Sequence, residues 1–346
     1  MSLVVAIVGA TGAVGRTLLT VLEERRFPVK ELRLLATTRS LGESLVWRGR
    51  TERVEVVDAA RLAGCDLVFL SAGTEAARAW AKEAQRAGAA VVDNSYAFRM
   101  EAGVPLVVPE VNAGELEGRP SLVANPNCST IALVLALAPL HRRVPVRRVV
   151  VSTYQSVSGT GIDALRELEA QVERGPLDVP PRVYPHPIAF NCIPQVDDFL
   201  EDGVTREERK LVHETRKILG VPDLPVTATT VRVPVRVAHS LAVNLEFVRP
   251  VAPEEARRWL AEAPGVLGHH KLSVGSSGFK VAGDHSSSEM RWSMIAKVQC
   301  TESHLFAFTG PMNAVIIPRQ SLQGASFEEV RSAFLRHAPV LANGAE

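Results

Sequence analysis

The stretch LVVAIVGATGAVGRTLLTVLEE, residues 3–24, decides how the chain begins to fold. Leu3–Val8 is a short apolar run that suits a buried strand, and Ala13–Glu24 has the apolar spacing of a helix. Between them lies GATGAVG, residues 9–15, whose glycines (Gly9, Gly12 and Gly15) permit a tight turn and a close approach to a pyrophosphate. The spacing of the glycines is GxxGxxG. Because the turn lies between a strand and a helix, we favour a dinucleotide-binding turn, and a purely structural turn is the alternative.

The residues after the second predicted strand, Glu31–Ala36, bear on which dinucleotide is bound. An NAD site usually places Asp or Glu there, against the ribose hydroxyls. This chain instead carries Thr37, Arg39 and Ser40. Because an arginine and hydroxyl groups suit a 2′-phosphate, the sequence favours NADP over NAD. A solvated arginine in a turn is the alternative interpretation.

Strands and helices alternate over the first part of the chain, which indicates a doubly wound parallel sheet. From Val146 onward the β-rich segments are longer and are interrupted by helices, as in α+β domains. The predicted strands are Leu3–Val8, Glu31–Ala36, Asp66–Ser71, Ala90–Asp93, Arg147–Gln155, Val226–Val235 and Ser240–Val248, and the predicted helices are Ala13–Glu24, Glu75–Ala87, Ser129–His141, Ile162–Glu173 and Arg206–Leu219. The expected fold class is α/β, with a Rossmann-type N-terminal domain and a central α+β domain.

Length and charge narrow the function classes. A chain of 346 residues, 46% hydrophobic and 22% charged, suits about two globular domains. Its net charge of +1 offers no basic field for nucleic acid or an anionic membrane, so we expect a small-molecule partner. The start lacks the pattern of a signal peptide and the apolar run Ile131–Leu140 is too short to cross a bilayer, so a cytoplasmic location is expected. Four distant cysteines without CxxC suggest neither a disulfide framework nor a metal site.

One cysteine stands out because of its position in NPNCST, residues 125–130. Cys128 precedes a predicted helix, and the positive end of the helix dipole is expected to lower its pKa. A small buried hydrophobic residue is the alternative, and it describes Cys65, Cys192 and Cys300. A dinucleotide site together with an activated thiol is the equipment for oxidising an aldehyde through a thioester, or for the reverse reaction. His239, seven residues after Arg232 in RVPVRVAHS, is the candidate base, and both side chains could reach one cleft.

These motifs, taken in their order along the chain, resemble those of one family. They are GATGAVG, VVDNSYAFRM, VPLVVPEVN, NPNCST, YQSVSGTG, AFNCIPQ, TREERKLVHETRKILG and RVPVRVAHS. The chain resembles aspartate-β-semialdehyde dehydrogenase of the bacterial type over about residues 1–266. The segment 267–312 departs from the family pattern and leaves two explanations open, divergence or local out-of-frame sequence. Only Asn313-Ala314-Val315 returns to the pattern.

The resemblance implies a role for several residues. Cys128 would be the nucleophile, His239 the acid/base, and Gln155 the group that orients the thioester or the attacking phosphate. Substrate and phosphate contacts would come from Arg99, Asn127, Glu207, Lys210 and Arg232, with Arg232 on the substrate carboxylate and Glu207 on its ammonium. Cofactor contacts would come from Gly9, Thr11, Gly12, Ala13, Val14, Thr37, Arg39, Ser40, Ser71, Ser158, Gly159 and Asn313.

The placement of the charged pair Glu207 and Lys210, in the seventh of these motifs, can also be derived from the residues themselves. Thr205 and Glu208 have the spacing of a capping box, so a helix begins there and Glu207 and Lys210 share one face. An ordinary surface ion pair is the alternative for these two side chains.

The family also implies a reaction and an assembly. The reaction is NADP-dependent reduction of aspartyl-β-phosphate to aspartate semialdehyde through a cysteine thioester, on the route to lysine, threonine, methionine and diaminopimelate. Residues 1–127 would bind NADP and be completed by 313–346, while 128–312 would form the catalytic and dimerisation domain of a homodimer or a dimer of dimers. The alternatives are an N-acetyl-γ-glutamyl-phosphate reductase and a non-catalytic paralogue.

Overall fold

The computed structural model describes residues 2–263, 271–282, 287–310 and 313–337. The chain divides into two compact units, Met1–Leu267 and Gly268–Glu346, which we describe separately. Within the described residues, no helix has the length and apolar character needed to span a bilayer.

The first unit begins with a seven-stranded sheet in the order β3-β4-β2-β1-β5-β6-β7, in which every neighbouring pair is parallel except β3 and β4. The strands are β1 Leu3–Val8, β2 Val29–Ala36, β3 Ser44–Trp47, β4 Arg50–Val56, β5 Leu67–Leu70, β6 Ala90–Asp93 and β7 Leu122–Ala124. The helices between them are α1 Ala13–Glu24, α2 Ala59–Leu62, α3 Thr74–Arg86 and α4 Pro109–Asn112.

The central strand β1 is buried on both faces. Ala6 and Val8 belong to one apolar cluster with α3, while Ile7 belongs to another with α1. Because successive side chains of a strand point to opposite faces, helices must cover the sheet on both sides. The predicted doubly wound α/β fold is therefore confirmed.

The rest of the first unit has a three-stranded sheet, β10-β8-β9, with β8 parallel to β9 and antiparallel to β10. Its elements are α5 Cys128–Arg143, β8 Val146–Gln155, α6 Ile162–Arg174, α7 Arg206–Leu219, β9 Val226–Arg232, β10 His239–Phe247 and α8 Pro253–Glu262. Leu133 and Leu137 of α5 and Leu211 of α7 pack against Val149 and Val151 of β8. This packing holds the N-terminus of α5 and one face of α7 near the end of the sheet.

Most predicted elements of the first unit are present with end shifts of one to three residues. The helices α1 and α7 and the strands β1 and β6 have the predicted bounds. Helix α5 begins at Cys128 and not at Ser129, because Asn127 supplies the N-cap. The hairpin of β3 and β4 was not predicted, because its short strands alternate between exposed and buried residues over few positions.

The described part of the second unit has two three-stranded antiparallel sheets and one helix. They are β11 Lys271–Val274, β12 Gly278–Ala282, β13 Ser287–Arg291, β14 Lys297–Cys300, β15 His304–Gly310, β16 Asn313–Pro318 and α9 Phe327–His337. Phe279, Trp292 and Phe334 form the centre of its core, with ring centroids 4.8–5.6 Å apart.

Residues 313–346 were expected to complete the dinucleotide domain, and the described part of this segment, 313–337, has its contacts elsewhere. The strand β16 pairs with β15, and α9 packs Phe334 against Phe279. These contacts place the segment in the same compact unit as residues 271–310 and not with 1–127. The expected boundary at 127/128 within the first unit stays a prediction.

Candidate active site

In the glycine turn after β1, a side chain at Gly9 or Gly15 would clash with backbone atoms. Gly9 has a φ of 94°, and a Cβ there would lie 2.7 Å from the backbone of Ser71. A Cβ on Gly15 would lie 2.3 Å from the Gly9 carbonyl oxygen. Gly12 is the N-cap of α1 and provides no side-chain cap, so the first turn of the helix is open to an anion.

The residues around this turn fit a dinucleotide. Ala13 and Val14 of the first turn are exposed, and Thr11 Oγ1 lies 2.9 Å from Ser40 Oγ. Thr37 is exposed, and the Ser71 hydroxyl donates to the Val8 carbonyl at 3.3 Å. A cradle of close backbone and hydroxyl groups of this kind suits a pyrophosphate and its ribose. The side chains of Arg39 and Asn313 lie outside the described part of the structure, and Asn313 belongs to the second unit.

Three predicted site residues lie side by side on the second sheet. Gln155, at the end of β8, is paired with His239 on β10 and with Arg232 on β9. The Ser156 backbone N–H donates to His239 Nδ1 at 3.0 Å, and Arg232 Nη1 donates to the Ser156 carbonyl at 2.5 Å. The sheet thus brings His239, Gln155 and Arg232 together. From their spacing in the sequence, His239 and Arg232 were expected to lie close to each other.

Ser158 and Gly159 lie against the same group. Ser158 Oγ is 3.0 Å from Ser156 Oγ. A Cβ on Gly159 would lie 3.3 Å from Arg232 Nη1 and 3.5 Å from His239 Cε1. A side chain at position 159 would therefore crowd the Arg232 guanidinium and touch the His239 ring.

The residue before Cys128 connects α5 to the sheet and to α7. The Asn127 side-chain oxygen caps α5 by accepting the Ser129 N–H at 2.9 Å. Glu207 Oε1 accepts from Asn127 Nδ2 at 2.9 Å and from Gln155 Nε2 at 3.1 Å. Lys210 Nζ lies 3.2 Å from Glu207 Oε2, and the predicted capping box at Thr205 and Glu208 is present. Asn127, Gln155, Glu207 and Lys210 form what we call the carboxylate cluster.

Two buried arginines border this cluster. Arg99 Nη1 pairs with Glu214 at 2.9 Å, and its Nη2 donates to the Asn94 carbonyl at 3.0 Å. Among the described residues, the Nε atoms of Arg99 and Arg232 are buried and have no hydrogen-bond partner. A buried donor without a partner is costly, so both guanidiniums fit a site for anionic groups of a substrate.

The environment of Cys128 corrects the expected direction of its pKa. Burial of the thiol among protein atoms, followed by the negative charge of Glu207, raises the pKa of Cys128 above its ordinary value. The Ser129 backbone and Arg99 oppose this effect but do not reverse it. The prediction of a lowered pKa was wrong because the helix N-terminus was weighed without the burial of the thiol and without the nearby carboxylate. Protein atoms surround part of the thiol, but the residue as a whole keeps solvent-exposed surface from which a substrate can approach.

Burial is also the main cause of the pKa shift of His239. Desolvation, with the positive charge of Arg232 acting in the same direction, lowers the pKa of His239 below its ordinary value. The ring is therefore uncharged at neutral pH. Because Nδ1 accepts a backbone N–H, the neutral ring carries its proton on Nε2.

The other three cysteines were expected to be small buried residues, and they differ in burial. Cys65 is buried as predicted, whereas Cys192 is exposed and Cys300 is half-buried. The prediction that Cys192 is a core residue was wrong, because it lies in a loop between α6 and α7.

Sequence reasoning missed Glu214 and Asp197. Glu214 is fully buried on α7, and Asp197 accepts from Lys210 Nζ at 2.7 Å. Glu214 lies seven residues after Glu207, so helical periodicity would have placed both on one face. For Asp197, which lies in a loop, we find no sequence signal.

The fold and the cleft define a class of protein: an NAD-binding domain joined to a catalytic α+β domain, as in semialdehyde dehydrogenases. The family model described as "Semialdehyde dehydrogenase, NAD binding domain" matches residues 4–119, and the one described as "Semialdehyde dehydrogenase, dimerisation domain" matches 137–271. Aspartate-semialdehyde dehydrogenase of Synechocystis sp. is 48% identical over 265 residues, 76% of this chain and 78% of that protein. The chain belongs to the aspartate-semialdehyde dehydrogenase family.

Solved structures agree with this assignment. Aspartate semialdehyde dehydrogenase II of Vibrio cholerae, complexed with ASA, superposes with a TM-score of 0.72 at 43% identity, covering 77% of this chain and 80% of that one. Aspartate semialdehyde dehydrogenase with NADP from Candida albicans superposes with a TM-score of 0.58 at 25% identity, covering 76% of each chain. The family assignment makes the chain an oxidoreductase that acts on an aldehyde.

The second unit matches a different family. The model described as "YcxB-like protein" matches residues 274–334. This range includes Asn313-Ala314-Val315, where the sequence suggested a return to the dehydrogenase pattern. The departure after residue 266 therefore lies near the end of the dehydrogenase match at residue 271 and near the boundary of the two compact units.

Proposed function

We propose that the first unit is an NADP-dependent aspartate-β-semialdehyde dehydrogenase that works through a thioester on Cys128. The carboxylate cluster carries this proposal. It holds Asn127, the residue directly before Cys128, against Gln155 and Glu207, so the thiol, an amide and a carboxylate meet at one place. A single buried cysteine would not need such surroundings.

In the oxidative direction, the Cys128 thiolate adds to the aldehyde carbon and the carbonyl oxygen becomes negative. We propose that the Nε2–H of His239 donates to that oxygen, because Nδ1 is held by Ser156. The dinucleotide, held by the Gly9–Gly15 turn, Thr11, Ser40 and Ser71, supplies the hydride acceptor. Inorganic phosphate then attacks the thioester carbon, the C–S bond breaks, and aspartyl phosphate leaves the restored thiolate. Biosynthesis uses the reverse direction.

The charges around Cys128 suit an amino-acid substrate. Glu207 is 4% exposed, and its negative charge suits the substrate ammonium, while Arg232 suits the carboxylate. An N-acetylated substrate has no ammonium, so Glu207 would remain an uncompensated charge, which disfavours the N-acetyl-γ-glutamyl-phosphate reductase alternative. An ammonium at Glu207 would also offset the charge that raises the pKa of Cys128. The proper substrate would thereby promote formation of the thiolate.

Phosphate would bind near Arg99, Asn127 and Lys210, and NADP would be preferred over NAD through Arg39, Thr37 and Ser40. The support for the phosphate site is the buried, unpartnered Nε of Arg99. The support for NADP is the absence of an acidic residue among positions 36–40.

We also propose a homodimer through the second sheet. The face of β8 away from α5 carries Val150, Ser152 and Tyr154, and Tyr154 is 45% exposed. The matching dimerisation-domain model covers these residues. As an enzyme of lysine, threonine, methionine and diaminopimelate synthesis, the protein would act in the cytoplasm.

A direct assay tests this function. Purified protein with aspartate semialdehyde, NADP⁺ and inorganic phosphate should produce NADPH, and the rate should depend on phosphate. N-acetylglutamate semialdehyde is the matched control, and a preference for it would favour the alternative enzyme. No NADPH formation from either aldehyde would favour the non-catalytic paralogue.

A further inference from the structure

Glu214 is a buried carboxylate with no part in the chemistry proposed above. It lies in the middle of α7 with no exposed surface. Its Oε1 accepts from Arg99 Nη1 at 2.9 Å, and its Oε2 accepts the Asn127 backbone N–H at 2.7 Å. One side chain thus joins three segments: the loop after β6, the residue before α5, and α7.

Packing alone does not account for a carboxylate at this position. Leu211 and Ile218 are buried on the same helix and are apolar. Removing a carboxylate from water is costly unless its oxygens are well paired, and here both are paired with donors. The side chain is therefore suited to holding its two partners in place.

The two carboxylates of α7 hold the same residue from different sides. Glu207 accepts from the Asn127 side chain, and Glu214 accepts from the Asn127 backbone. Asn127 is the N-cap that sets the start of α5, so both contacts act on the residue next to the thiol. Glu214 alone also contacts Arg99.

We propose that Glu214 is a positioning residue for the phosphate step. It fixes the Arg99 guanidinium relative to the Asn127 backbone, and so sets where an anion binds beside Cys128. The proposal rests on the proposed function, because it concerns the phosphate of that reaction. Arg99 Nη1 donates to Glu214 and Nη2 donates to the Asn94 carbonyl, so the guanidinium plane is fixed. Its buried Nε has no hydrogen-bond partner among the described residues and could therefore donate to an anion.

Glu214→Gln tests the proposal, because it keeps the shape but replaces one acceptor oxygen by an amide that donates. Either Arg99 or Asn127 then faces a donor, and the anion site loosens. The first readout is the rate at which iodoacetamide alkylates Cys128 as inorganic phosphate is added, which gives an apparent Kd for phosphate. The second is steady-state kinetics. We expect the Kd and the KM for phosphate to rise about tenfold or more, with the KM for NADP⁺ unchanged.

Glu208→Gln is the matched control on the same helix. Glu208 accepts the Thr205 and Thr230 backbone N–H groups and does not contact Arg99 in the described structure. It should lower the melting temperature without changing the phosphate KM. Glu214→Asp, which keeps the charge but shortens the reach, provides a second variant if Glu214→Gln does not fold.

The outcomes separate this proposal from the proposed function. A wild-type protein that binds phosphate at Cys128 but lacks turnover would refute the proposed function, and a raised phosphate Kd in the Glu214 variant would still show that Glu214 positions the anion site. An active wild type with a folded Glu214 variant whose phosphate Kd and KM stay within about twofold would overturn the positioning role. A wild type whose Cys128 is not protected by phosphate would overturn it as well.

Discussion

The two compact units differ in what they bury. In the first unit, buried polar residues collect around Cys128, among them Arg99, Asn127, Gln155, Glu207 and Arg232. Among the described side chains of the second unit, the buried ones are all from hydrophobic residues, with Phe279 and Phe334 at the centre. Buried polar groups are costly and need a reason, whereas an apolar core is sufficient for folding. The comparison therefore assigns the chemistry to the first unit.

Among the substitutions that test this comparison, removal of the Cys128 thiol should have the largest effect on turnover. Cys128→Ala should reduce turnover to background, because no side chain of the neighbouring carboxylate cluster can form the thioester in its place. The exposed side chain adds little to packing, so the melting temperature and NADP binding should change little. Cys192→Ala, at another exposed cysteine, is the control and should retain full activity. Retained activity in Cys128→Ala would remove the nucleophile from the account.

A substitution in the core of the second unit should change the stability of that unit and not the rate of the reaction. Phe334 is fully buried between Phe279 and Trp292, and Phe334→Ala should cost about 3–5 kcal/mol of the unfolding free energy of that unit. We expect kcat to stay the same at temperatures where the first unit is folded. Scanning calorimetry together with kinetics measures both quantities. A parallel fall in kcat would contradict the division of roles between the units.

Removing the charge of Glu207 should change the reactivity of the thiol. Glu207 raises the pKa of Cys128, so Glu207→Gln should shift the pH profile of Cys128 alkylation to lower pH. The sign follows because the thiolate is the reactive form and the neighbouring negative charge disfavours it. The same variant should lower kcat/KM for aspartate semialdehyde through loss of the ammonium contact. An unchanged alkylation profile would show that Glu207 does not act on the thiol.

The smallest effect concerns the choice of cofactor. Arg39→Ala should narrow the preference for NADP over NAD by about 1–3 kcal/mol, the size of a charge-assisted hydrogen bond. Titration calorimetry with both dinucleotides measures this difference, and Arg53→Ala, at an exposed arginine of β4, is the control. Equal affinity of the wild type for NAD and NADP would contradict the preference.

The sequence predicted those parts of the fold that depend on local signals. The bounds of α7 follow from the Thr205–Glu208 capping box at one end and Gly220 in the left-handed conformation at the other. The start of α1 follows from the glycine turn, in which Gly12 is the N-cap. By contrast, the change of unit near residue 267 was visible only as a loss of resemblance, because the described part of the second unit consists mainly of short antiparallel strands without a motif that the sequence reading recognised.

For the site, local pattern and resemblance named the residues but not their environment. The predicted direction of the Cys128 pKa shift was wrong because the shift depends on burial of the thiol and on Glu207, which is distant in sequence and close in space. Glu214 was missed because HETRK, residues 213–217, has the composition of an exposed helix face. Only the packing of α7 against α5 shows that this carboxylate is buried.

The central claim is that Cys128 forms a thioester with the substrate, and mass spectrometry of the trapped protein tests it most directly. Wild-type protein is mixed with aspartate semialdehyde and NADP⁺ in a phosphate-free buffer, quenched in acid and digested. Without phosphate the thioester should persist, so the peptide that contains Cys128 should carry the added aspartyl group, and phosphate should remove it. An unmodified Cys128 peptide alongside NADPH formation, or an adduct on Cys192 instead, would contradict the account.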